Sequence, residues 1–99
     1  MYMLATLKLS YAGVGTFLAI APKVKAIVEK EGWVLEKALI SQASRLNTVT
    51  HLWKIRDMNH YHEGLEKIQV HPDFPEILAA LSASVDEEII SFGVDTPYS

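Results

Sequence analysis

The chain contains no cysteine. Disulfides, thiolate metal ligands and cysteine nucleophiles are therefore excluded, and a cytoplasmic setting is the expectation. Positive charge is also scarce: Lys and Arg number 9 against 12 Asp and Glu, the formal charge is -3, and no basic cluster extends beyond a pair such as Lys23 and Lys25. A surface that follows a phosphate backbone needs the opposite balance, so no nucleic-acid partner is expected. No apolar run is long enough for a membrane span. Met1 to Ala21 ends in Ala19-Ile20-Ala21, which looks like a small-x-small cleavage site, but no basic region precedes it, Lys8 lies inside it, and Ser10, Gly13 and Gly15 interrupt it. That segment reads as structure. Gly13-Val14-Gly15 is too short for a phosphate-cradling loop, and no Ser-His-Asp order can be read.

What the chain does have is apolar and aromatic material, 49% hydrophobic with two Trp, four Tyr and three Phe in 99 residues. A chain of this size buries roughly two-thirds of its unfolded surface, so one core and a single domain over residues 1–99 are expected.

Tyr2 to Leu9 alternates as a first strand and runs into turn residues Ser10 to Gly15. From Thr16 onward Phe17, Leu18, Ala21, Val24, Ile27 and Val28 recur at helical spacing, with Pro22 either kinking the helix or restarting it, and Gly32 ending it. Trp33 to Ile40 reads as a second strand and Asn47 to Ile55 as a third, joined by the polar stretch Ser41 to Leu46. Asp57 can cap a helix carrying Met58, Tyr61, Leu65 and Ile68, which stops near Val70. Asp73 and Glu76 have the spacing of a capping box for a further helix through Ile77, Leu78 and Leu81. Val85 to Val94 reads as the last strand.

The order is βαββαβ, an α+β ferredoxin-like arrangement in which helices cover one face of a four-stranded antiparallel sheet. The other face carries either Met3, Ala5 and Leu7 or Tyr2, Leu4 and Thr6 from the first strand, and either the His51 and Trp53 set or the Leu52 set from the third. Each choice leaves apolar side chains uncovered. A soluble monomer rarely exposes such a face, so a homodimer with two sheets packed together is expected.

The third strand holds the best chemical lead, because its period of two puts Val49, His51, Trp53 and Ile55 on one side. Asn47-Thr48-Val49-Thr50-His51-Leu52-Trp53 resembles the N-x-V-x-H-L-W strand of NIPSNAP-like proteins, and Val70-His71-Pro72-Asp73-Phe74 resembles the break before the last helix of that family. The resemblance covers nearly the whole chain. It implies a dimeric α+β barrel, in which two ferredoxin-like sheets enclose a cavity in each subunit, and a superfamily that includes cofactor-free oxygenases, small cyclases and haem-handling proteins. By the same resemblance Asn47, His51 and Trp53 lie on the cavity side. The family's first strand often alternates a glutamate, an arginine and a tyrosine, where this chain has Met3, Ala5 and Leu7, which implies a drier pocket.

Each candidate has a plain reading beside its functional one. His51 is either a hydrogen-bonded core histidine or a neutral imidazole serving as catalytic base for an acidic phenol or enol. Trp53 packs, and its indole N–H can also orient a ligand oxygen. Tyr61 packs or offers a phenol to the cavity. His71 is a local partner at the helix break or borders a pocket mouth. His60 and His62 stand two apart on a helix and cannot jointly hold a metal. No cofactor is called for. Three functions remain open: a homodimer binding a small apolar or aromatic molecule, with or without cofactor-free catalysis; a non-catalytic scaffold dimer; and a haem-binding protein.

Overall fold

Alternation along the first strand decides which side of the sheet is covered. In the computed structural model, which describes residues 1–99, Tyr2–Leu9 forms β1, with Met3, Ala5, Leu7 and Leu9 buried and Leu4 and Lys8 exposed. The remaining elements are α1 (Val14–Glu29), β2 (Val34–Ile40), β3 (Thr48–Lys54), α2 (Met58–Val70), α3 (Phe74–Ser84) and β4 (Val85–Gly93). The strands form one antiparallel sheet in the order β2-β3-β1-β4, the ferredoxin-like arrangement.

The register sorts the two faces. Met3, Ala5 and Leu7 stand opposite Trp53, His51 and Val49 on β3, and opposite Phe92, Ile90 and Glu88 on β4. These residues share the side on which the helices lie. The reverse side is built of cross-strand rows: Ile89-Thr6-Thr50-Leu39, Ser91-Leu4-Leu52-Lys37 and Gly93-Tyr2-Lys54-Val34. No helix covers them. The molecule measures 41 × 37 × 17 Å, and its short axis is that of one sheet plus one helix layer, the latter about 10 Å across.

The helices follow their sequence signals with two departures. α1 starts at Val14 rather than Thr16 and runs unbroken through Pro22. Both Pro22 and Leu18, whose carbonyl would otherwise receive the missing N–H, lie on the solvent side, so water can satisfy the freed carbonyl. Gly32 reverses the chain with a φ of 89°, a left-handed conformation that costs glycine little. Asp57 caps α2 by accepting the amide N–H of His60 at 2.9 Å, as expected. The capping box at Asp73 does not form: its carboxylate turns instead toward Lys23, 4.0 Å away, and toward His71 Nδ1 at 3.9 Å. Lys23 also meets Glu76 at 2.8 Å, which ties α1 to the start of α3. No helix is long and apolar enough to cross a membrane.

Trp33, read as the first residue of β2, lies just before that strand and is a core residue. It packs with Met3, Val28, Trp53 and Ile55, and its ring presses on α2 at Gly64. A Cβ at Gly64 would come within 2.4 Å of the indole, so only glycine lets α2 approach this closely.

Candidate functional site

His51 sits in the middle of β3 on the helix-facing side, flanked by Phe17 of α1 at 6.1 Å and by Trp53 at 6.2 Å between ring centroids. Its strand neighbours there are Ala5 on β1 and Ala38 on β2, so small side chains border the imidazole on both sides. The ring is half-buried and burial pushes its pKa down, which favours the neutral form. No protein group hydrogen-bonds the imidazole of His51 or the indole N–H of Trp53, and yet no fully buried side-chain polar atom lacks a partner. The nitrogens of these two interior residues therefore border space that water can reach. They are hydrogen-bonding groups that the protein itself leaves without a partner.

From Trp53 a chain of rings runs across the helix side of the sheet. Trp33 meets Trp53 edge-on at 5.5 Å, Tyr61 stacks on Trp33 at 5.9 Å, and Phe92 meets Tyr61 edge-on at 5.1 Å. Ala5 and Ile90, paired with each other, lie on the sheet between His51 and this far end. The expected apolar replacement on β1 is visible here, since Met3, Ala5 and Leu7 all face this side and bring no charge.

One functional group escaped the sequence reading. Glu88 lies on β4 opposite Leu7 and shares the helix-facing side with Ile90 and Phe92. Partial desolvation pushes its carboxyl up, although the residue as a whole is exposed at the sheet edge. Tyr61 is pushed up as well, first by burial and then by the negative charge of Glu88. Counting back by two from Phe92 and Ile90 would have found Glu88 in the sequence.

The other sequence candidates do not gather around His51. Asn47 precedes β3 with a φ of 61°, and its carbonyl accepts the Leu9 amide at 2.8 Å. His71 ends α2, where its Nδ1 accepts the Asp73 amide at 3.0 Å, and it lines a separate groove of about 400 Å³ with Lys23, Ile27, Lys67 and Val70. His62 is exposed on α2. His60 is the hydrogen-bonded core histidine of this fold: it is 1% exposed, its Nδ1 accepts the Arg56 amide at 3.0 Å, and its Nε2 meets the Glu31 carbonyl. A wider depression of about 570 Å³ lies on the uncovered sheet face, lined by Tyr2, Leu4, Leu52, Phe92 and Val94, on the side of the sheet opposite His51.

The depressed pKa of His51 has a measurable sign. Between its folded pKa and the ordinary value of 6.5, the unfolded chain binds more protons than the folded one. The stability His51 contributes is thus present above that range and lost as pH falls through it. In denaturant unfolding between about pH 7.5 and 5, a His51→Gln variant should lose less stability on acidification than the wild type. Parallel curves would mean that the imidazole is not desolvated in the folded chain.

The sequence profile of the NIPSNAP family matches residues 2–99. No curated protein matches. Among solved structures, an uncharacterized NIPSNAP domain protein from Burkholderia xenovorans superimposes with a TM-score of 0.80 at 17% identity, covering 99% of this chain and 96% of its own. Protein Atu4242 from Agrobacterium tumefaciens gives a TM-score of 0.84 at 14% identity, with 99% and 95% covered. SnoaB, a cofactor-independent oxygenase from Streptomyces nogalater, gives 0.71 at 15% identity, with 99% and 96% covered. At these identities the structures speak for a shared fold, that of the dimeric α+β barrel proteins, and the match over residues 2–99 places the chain in the NIPSNAP family.

Proposed function

We propose that the chain is a cytoplasmic homodimer whose uncovered sheet faces pack together, and that each subunit binds a small apolar or aromatic molecule between its sheet and helices. His51 is the base and Trp53 the wall of that cavity. The observation that carries this reading is an interior, desolvated imidazole without a protein partner, beside an indole N–H that also lacks one. A neutral imidazole can take the proton of a bound phenol or enol, leaving an imidazolium beside the oxyanion, and the Trp53 N–H can donate to that oxygen. Such a step needs no metal or organic cofactor. The fold supports it, because SnoaB, of the same fold, is a cofactor-independent oxygenase. Asn47 and His71 are left out of the reading, since the Asn47 carbonyl is tied to the Leu9 amide at the end of β1 and His71 bonds within its own turn.

The test combines native mass spectrometry of freshly purified protein with a titration of 2-naphthol followed by NMR. A dimer is expected, with naphthol shifting the His51 ring and the Trp53 indole signals. His51→Ala should leave the dimer intact and weaken naphthol binding by about tenfold, the worth of one good hydrogen bond. A monomer would overturn the assembly. A dimer in which naphthol leaves both signals unmoved would overturn the cavity and favour a scaffold.

A further inference from the structure

We infer that the His51 cavity opens at the β2 edge over Ala38, so that Ala38 sets which molecules reach the imidazole: flat hydroxylated aromatics that enter hydroxyl first and leave their apolar body over Ile40 and Leu18. The inference rests on the cavity reading above and adds the ligand's path, its orientation and the residue that sorts it.

Three observations carry it. First, the surroundings of His51 leave one direction free. The imidazole nitrogens have no protein partner and yet are not sealed from water. In the sheet the residue is bordered by Ala5 on β1, by Ala38 on β2 and, two places along its own strand, by Val49 and Trp53, while Phe17 of α1 stands over it with ring centroids 6.1 Å apart. Ala5, Val49, Trp53 and Phe17 are each at most 5% exposed. Ala38 alone is exposed, so water reaches the ring past its methyl group.

Second, the rim of that opening is apolar. Ile40 pairs with Val49 and so shares the helix-facing side of β2 with Ala38, and it is 40% exposed. Ile20 and Ile27 of α1 pack on Ile77 of α3, which adjoins β4 at the other edge of the sheet. Leu18, two residues from Ile20 and hence on the opposite side of the helix, turns away from α3 and toward β2, and it is 52% exposed. Two bare aliphatic side chains beside a histidine that lacks a partner form a shelf for the apolar body of a molecule whose hydroxyl points inward.

Third, the gap lies on an edge strand. β2 pairs with β3 only, so no further strand borders Ala38 and a molecule can enter from the side. Ala38 faces away from the sheet side that carries Lys37 and Leu39, so the proposed dimer leaves the opening free. A larger side chain at this position would fill the space beside the imidazole without displacing a buried residue.

The experiment reads access to His51 in two ways: by carbethoxylation with diethyl pyrocarbonate, located by peptide mass with exposed His62 as the internal reference, and by NMR titration of 2-naphthol. The wild type is compared with Ala38→Phe and Ala38→Ile, both suited to an exposed strand. In the wild type His51 should be acylated. Ala38→Phe should slow that reaction and weaken naphthol binding by about tenfold each, with the acylation of His62 and the melting temperature unchanged, and Ala38→Ile should fall between. Naphthol methylated beside its hydroxyl should bind the wild type about tenfold less tightly than naphthol methylated on the far ring. Unchanged His51 acylation in both Ala38 variants would overturn the opening, and equal binding of the two methylated compounds would overturn the orientation. If 2-naphthol fails to bind the wild type while Ala38→Phe still shields His51, the opening stands and the ligand reading above falls. A His51 that resists acylation in the wild type would overturn both.

Discussion

Replacing His60 by alanine is expected to cost roughly 3–5 kcal/mol of folding stability, because it removes a buried side chain and strands two backbone groups at once. The ring is 1% exposed. Its Nδ1 accepts the Arg56 amide at 3.0 Å, and its Nε2 faces the Glu31 carbonyl, so the tautomer with the proton on Nε2 serves both. Arg56 ends the segment leaving β3, and Glu31 lies in the turn between α1 and β2. One imidazole therefore joins two chain segments that no secondary-structure ladder connects. The residue's backbone adds two more links: its carbonyl accepts the Trp33 indole N–H at 3.1 Å, and its amide donates to Asp57. Alanine keeps those backbone bonds but loses both ring bonds and leaves a void beside Trp33, whose ring lies 6.4 Å from that of His60. For a domain of this size the melting temperature should fall by at least about 12 °C. Glutamine, whose amide can replace one of the two ring bonds, should lose less, and His62→Ala on the exposed side of the same helix should change nothing measurable. A His60→Ala variant melting within a few degrees of wild type would show that this junction is not where the fold is held.

The contrast between His51 and His60 shows how far the sequence could be read. A strand's period of two is local information, and it correctly put His51 beside Trp53 on one face of β3. Whether a histidine finds a hydrogen-bond partner is not local. The partner of His60 lies 29 residues away in a turn, and only the packing of α2 against Trp33 brings the two together. Hence the plain reading assigned to His51, a satisfied core histidine, belongs to a residue noticed only as half of a metal pair. Boundaries followed the same division. β1 ran from Tyr2 to Leu9 as its alternation indicated, whereas Asp73 had the spacing of a cap and gave its carboxylate to Lys23 and His71. Tertiary ion partners competed with the local amide and won. Glu88 was hidden by its neighbours, because Asp86-Glu87-Glu88 looks like a solvated edge, although its parity with Ile90 and Phe92 was available throughout.

A single charge at the centre of the uncovered sheet face should separate the proposed dimer into monomers. Leu52 is the residue to change. It lies in the row Ser91-Leu4-Leu52-Lys37, directly opposite Leu4, and the adjacent row holds Ile89 and Leu39, both exposed. Because the sheet and its helices leave this face bare, only 18 of 99 residues are buried, and a second copy is the natural source of the missing layer. A twofold interface uses the same patch on both subunits, so each substitution enters it twice. Leu52→Asp would bring two carboxylates into an apolar layer between sheets about 10 Å apart, with desolvation and like-charge repulsion acting together. A total penalty of about 4 kcal/mol weakens the dimer roughly a thousandfold, enough to yield monomers at micromolar concentration. His62→Ala on the exposed side of α2, on the other side of the molecule, should leave the dimer unchanged. Sedimentation or light scattering reads the result directly. The His51 side lies beneath the helices on the opposite face, so the separated Leu52→Asp chain should still bind 2-naphthol if the cavity belongs to one subunit. Loss of binding together with the dimer would mean that the partner completes the site, and a Leu52→Asp chain that stays dimeric would place the interface somewhere other than the sheet face.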